Sequence, residues 1–113
     1  MQIASILDQL TYGEQKPAVS VLLDTPTGKE VRIVFRDGQE MKEHQSPFPI
    51  VLEIVDGHID FAVEGVVQPL KKGMLIALSA GVPHGLLAKM DSIVRLSLHK
   101  GDSLKRVDEV LKD

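Results

Sequence analysis

The sequence predicts an all-β fold, a sandwich or barrel of short strands, on three observations. Apolar residues make up 43% of the chain and aromatics only 4%, so the core must be built from Val, Ile and Leu, which suit a pleated sheet. From Val19 onward short β-branched runs recur, each closed by a turn signal. No helical periodicity separates those runs until the C-terminal segment is reached.

In chain order, ASILDQL (residues 4–10) spaces Ile6 and Leu10 by four, which suits a short helix in an N-terminal appendage. VSVLL and EVRIVF flank TPTGK as the arms of a hairpin, and RDGQ ends it. PIVLEIV and HIDFAV flank Asp56-Gly57, and Asp-Gly between apolar runs is the strongest short hairpin signal because both turn positions need positive φ. Glu64-Gly65 then turns the chain into VVQPL, Lys72-Gly73 into MLIAL, AGVPHG into LLAK, and Met90-Asp91 into SIVRLSL. One domain over residues 1–113 is expected, with a β core at about 19–99 and a C-terminal helix at about 103–112. Asp102 or Ser103 can cap that helix, and Leu104, Val107 and Leu111 share one face, which suits covering an end of the sheet or packing on a partner chain.

Charge and composition exclude several classes. A net charge of −3 supplies no basic field for a phosphate backbone, so no nucleic-acid partner is expected. With 0 cysteines there is no disulfide, iron–sulfur cluster or thiolate zinc site. The opening MQIASILDQL lacks the charged and apolar regions of a secretory signal, and Glu53 interrupts the longest apolar run, so a cytoplasmic protein without a membrane span is expected.

Two stretches carry a resemblance. Gly38, His44, Ser46 and Gly57 keep the spacing of the first cupin motif, while Gly73, Gly81 and His84 keep that of the second, with Ser79 and Ala88 where the motif has Pro and Asn. The chain thus resembles the cupins, from Val31 to Leu98, which implies a double-sheet jelly roll. In that family two histidines and a glutamate of the first motif join one histidine of the second around a divalent metal. The corresponding positions here are His44, Ser46, Ile50 (or Val51) and His84, so two of four ligands remain. A hydroxyl and a hydrocarbon do not replace an imidazole and a carboxylate, so no firm metal is expected, only a weak divalent ion at His44 and His84. Strand alternation turns Glu53 to the face opposite Ile50, Leu52 and Ile54 unless a bulge intervenes. Glu40 shares the parity of His44 but lies about 13 Å along the strand.

The site expected is a ligand pocket of His44, Ser46, Ile50, Leu52 and His84: mostly apolar walls with a few polar groups to orient a small organic molecule. His58 and His99 are expected to face solvent. Ser46 is expected to hydrogen-bond in the pocket rather than act as a nucleophile, since no elbow motif or orienting acid accompanies it. The resemblance also admits an enzyme, either an epimerase using a histidine base without metal or an oxygenase using His44 and His84 as residual ligands. A non-catalytic interaction module is the third reading. Because cupins commonly pair through sheet edges, a homodimer is expected, with the N-terminal segment or the C-terminal helix crossing the interface.

Overall fold

The computed structural model describes residues 1–111; Lys112, the last position of the expected helix, lies outside the described residues. Nine strands run β1 (Ala18–Thr25), β2 (Gly28–Phe35), β3 (Glu40–His44), β4 (Ile50–Asp56), β5 (His58–Val63), β6 (Val66–Lys71), β7 (Leu75–Leu78), β8 (His84–Ala88) and β9 (Ser92–His99), followed by helix α1 (Leu104–Val110). They form two antiparallel sheets of order β1-β2-β9-β4-β7 and β3-β8-β5-β6. Alternation decides what lies between them. Val31, Ile33 and Phe35, Ile50, Leu52 and Ile54, and Val94, Leu96 and Leu98 come from the first sheet; Met41, Ile59, Phe61, Leu86 and Ala88 come from the second. The core is aliphatic, as the composition requires.

Only two of the expected turns are hairpins, the one joining β1 to β2 and the one at Glu64-Gly65 joining β5 to β6, where Glu64 and Gly65 have φ of 52° and 80°. Asp56-Gly57 is not a hairpin. β4 pairs with β7 and β9, whereas β5 pairs with β6 and β8, so this turn carries the chain from one sheet to the other. The turns at Lys72-Gly73 and Met90-Asp91 are crossings of the same kind. The physical reason is layer packing: both strands have an apolar face, and placing them in opposite sheets lets those faces bury against each other. Gly57 serves the corner twice. Its φ is 96°, and a Cβ there would lie 2.2 Å from Ser92 Oγ. The buried Ser92 hydroxyl accepts from His58 N (3.0 Å) and donates to Met90 O (2.8 Å), tying this corner to the β8–β9 corner.

The N-terminal segment forms no helix; only a turn lies near Ile6. The carbonyls a helix would use internally are taken from outside: Arg32 on β2 donates to Ile6 O (3.1 Å), Asp8 O (2.7 Å) and Gln9 O (3.3 Å), and Gln9 adopts φ 51°. Farther out, the Gln2 carboxamide brackets the backbone of Asp24 at the edge strand β1. At the other terminus the expected helix is present. Ser103 caps it, its hydroxyl accepting from Arg106 N at 3.2 Å, and Val107 and Leu111 are buried in the core. A helix of 7 residues is far too short to persist alone, so its existence depends on what it packs against.

Candidate functional site

His44 ends β3 and His84 begins β8, and the two are cross-strand partners. A bulge between Met41 and His44 inserts an extra residue into β3. In an unbroken strand, residues three apart face opposite ways; the bulge turns both Met41 and His44 inward. It also reverses the parity expected for Glu40, which is exposed while Met41 is buried. Glu53 stands on the outer face of its sheet, bonded to Arg95 at 3.0 Å together with Glu30 at 2.6 Å.

The two imidazole centroids are 4.3 Å apart with planes inclined at 60°, and His84 also stacks on Phe61 at 5.5 Å. Each ring is oriented by a carbonyl of its own strand end: His44 Nδ1 lies 2.7 Å from Lys42 O, and His84 Nδ1 lies 2.9 Å from Val82 O. A carbonyl only accepts, so both protons sit on Nδ1 and both Nε2 atoms keep a lone pair. Among the described residues neither Nε2 makes a hydrogen bond. Burial lowers the pKa of His44 from its ordinary 6.5 to about 4; the Lys42 carbonyl opposes this, and the charges of His84 and Arg106 reinforce it. Burial also lowers His84, against the Val82 carbonyl and with help from Arg106. Both rings are therefore neutral at physiological pH.

The same cavity is walled by Ile33, Met41, Ile50, Leu52, Leu86 and Leu96, and closed by Arg106 and Val107 of α1. Four of the five residues expected at the site thus converge. Ser46 does not line this space. It is buried one layer away, donating to Asp102 Oδ2 (3.0 Å) and accepting from Phe48 N (3.1 Å). Asp102 in turn receives Arg106 Nε and Nη2, each at 2.7 Å. Burial alone would push the Asp102 carboxyl up, but the hydrogen bonds from Arg106, the Ser103 amide and Ser46 hold it below its usual range. Arg106 is the residue that sequence reasoning missed. Its signal was present in the four-residue spacing from Asp102 and its place beside the apolar Val107. Of the other histidines, His58 is half-buried and 3.2 Å from Asp60 Oδ1, while the exposed His99 stacks on Phe48 at 4.6 Å.

The free space between the histidines and α1 is only about 10 Å³, room for one water molecule. The donor set does not suit a divalent ion. Among the described residues no three His, Cys, Asp or Glu side chains are placed to hold one. The adjoining carboxylate, Asp102, is committed to Arg106, whose own positive charge opposes a second cation.

No protein-family model and no curated protein matches the chain. Solved structures do. An RmlC-like cupin from Desulfovibrio desulfuricans is 22% identical with a TM-score of 0.80, over 88% of this chain and 96% of that one. A protein with a double-stranded β-helix domain from Klebsiella pneumoniae is also 22% identical at TM-score 0.80, over 91% and 94% of the two chains. A cupin superfamily protein from Desulfitobacterium hafniense is 13% identical at 0.73, over 80% and 83%. Likeness at such low identity speaks for architecture rather than chemistry, and together with the two facing sheets and the paired motif histidines it makes this chain a small protein of the cupin fold.

Proposed function

We propose that the chain binds a small organic molecule carrying hydrogen-bond donors at the His44–His84 pair. The observation that supports this reading is that a backbone carbonyl takes each Nδ1, so that on two rings lining one largely apolar space each Nε2 keeps a lone pair, with no hydrogen bond to it among the described residues. Acceptors in such a setting are best matched by a hydroxyl or N–H, and the aliphatic walls favour an otherwise apolar body.

The same geometry weighs against proton abstraction. An imidazole with a pKa near 4 is a weak base at neutral pH, and among the described residues no carboxylate orients either ring. Binding rather than catalysis is the better-supported use of the site. Native mass spectrometry of the protein taken directly from cells tests it. The parent is expected to carry a small molecule that the His44→Ala, His84→Ala double variant, still folded, has lost. An empty parent, or equal occupancy in both proteins, would overturn the reading.

A further inference from the structure

A molecule with an organic skeleton does not fit into about 10 Å³, and the groups that reduce the space are not part of the barrel. Arg106 and Val107 enter it from α1, a helix that follows the last strand and adds nothing to either sheet. Val107 joins the aliphatic core, where Leu111 is also buried. Remove α1, and Ile33, Met41, Ile50, Leu52, Leu86 and Leu96 become the open wall of a pocket with the two imidazoles in it.

Besides the burial of Val107 and Leu111, one polar cluster holds α1 in place. The buried Asp102 carboxylate grips Arg106 through two parallel bonds and is itself held by Ser46, whose hydroxyl is fixed by Phe48 N. Phe48 lies against Gly101, where a Cβ would come within 2.6 Å of the ring, so the loop after β3 closes directly on the turn before α1. Ser46, at a position where the resemblance implies a metal-binding histidine, is here the anchor of that closure.

We infer that α1 is a displaceable plug, latched by Ser46, Asp102 and Arg106, and that the His44–His84 pocket opens when the latch releases. This rests on the ligand-binding reading only for the purpose of opening; the motion itself does not. The pocket exposed is mainly aliphatic with two acceptors at its base, so the ligand class it takes is an apolar molecule with one or two N–H or O–H donors. Release also carries the Arg106 charge away from the imidazoles, leaving a site that selects by shape and hydrogen bonding rather than by charge.

Native-state hydrogen exchange and indole binding, measured together on the full chain, test the inference. Indole has an apolar body and one N–H, and the chain has 0 tryptophans, so its fluorescence is read without background. In Ser46→Ala and Asp102→Asn the amides of residues 106–111 are expected to exchange on the order of tenfold faster, the effect of losing a buried or charge-assisted hydrogen bond, while those of β2 and β9 keep their protection. Indole affinity should rise by a similar factor as the open fraction grows. Amides of α1 that exchange only together with β2 and β9 in all three proteins, or that are unprotected in the parent, would overturn the plug. So would a loosened α1 with unchanged indole affinity, since it would then gate nothing. If α1 loosens and indole binds more tightly, yet binds equally well to the His44→Ala, His84→Ala variant, the plug stands and the proposed ligand contacts fall.

Discussion

Each terminal segment is held by an arginine, but the two arrangements work in opposite directions. Arg32 belongs to the sheet and reaches outward; it is 7% exposed and binds three backbone carbonyls, with no carboxylate partner among the described residues. Arg106 belongs to the terminal segment itself and reaches inward, toward two imidazoles, with a buried carboxylate holding it. The difference teaches where each segment does its work. The N-terminal strap lies over the outer face of β2 and contributes no residue to the cavity of the two histidines. The C-terminal helix completes the core, and its anchor is the Asp102–Arg106 charge pair.

The largest effect is expected from placing a charge inside the space that α1 closes. Ile50→Glu puts a carboxyl among aliphatic walls and should cost a few kcal/mol in urea denaturation, partly relieved by its taking up a proton. It also supplies a third donor beside His44 and His84, so nickel should raise the melting temperature of this variant and leave the parent nearly unchanged. Adding Ser46→His should give no further gain, because Ser46 faces Asp102 rather than the histidines. A parent that responds to nickel as strongly as the variant would show that the cavity does not discriminate in this way.

Breaking each anchor compares the two segments directly. Asp102→Ala leaves Arg106 without its partner and is expected to destabilise by about 2–3 kcal/mol, below the range for a fully buried pair because Arg106 is 22% exposed. Arg32→Ala should cost about 1–2 kcal/mol, since the three carbonyls it releases can turn to water. It should make residues 1–17 sensitive to protease while indole binding is unchanged. Equal losses from the two variants in denaturation would erase the distinction.

Acid should separate the segments with a smaller effect. His44 has a folded pKa lowered to about 4, so between pH 6.5 and 4 the unfolded chain binds more protons than the folded one. Stability should therefore fall as pH drops through that window, and His44→Phe should flatten the slope. Ligand affinity should accordingly stay level from pH 8 to near 6 and decline toward 4, lower than the 5-to-8 range of an unperturbed imidazole. Asp102, with its pKa lowered, stabilises above its ordinary 3.8 and loses that contribution as pH falls through its folded value. Protection factors in α1, taken relative to the intrinsic exchange rate at each pH, should fall there, whereas the backbone carbonyls that Arg32 binds do not titrate and protection around them should not change. A flat stability between pH 7 and 4 would remove the buried neutral state of the histidines from this account.

The smallest expected effect concerns association. The edge strand β7 and the residue before it expose apolar side chains, Leu75 at 59% and Met74 at 43%, beside Val51, a surface suited to pairing with a second copy. Light scattering is expected to find a homodimer, and Leu75→Lys to weaken it with little change in melting temperature at low protein concentration. A monomer at micromolar concentration in the parent would exclude β7 as an interface.

The sequence by itself determined the strands, because period-two alternation and Gly-containing turns are local properties, and it identified His44 and His84 because their spacing follows a recognisable motif. It also offered Asp102 or Ser103 as the helix cap and gave the outward position of Glu53, which follow from one element alone. Which strands pair was decided by tertiary structure: Asp56-Gly57 has the local chemistry of a hairpin, yet β4 and β5 separate because burying two apolar faces between layers outweighs pairing neighbours in sequence. The bulge in β3 was equally illegible, since one inserted residue reverses the facing of Glu40 and Met41 without any signal in composition. Ser46 shows the same limit at the site. Its spacing from His44 suggested a shared cavity, but a partner 56 residues away, Asp102, drew its hydroxyl into the anchor of α1. Only packing brings those two groups together, because a buried carboxylate must find its hydrogen bonds wherever the fold supplies them.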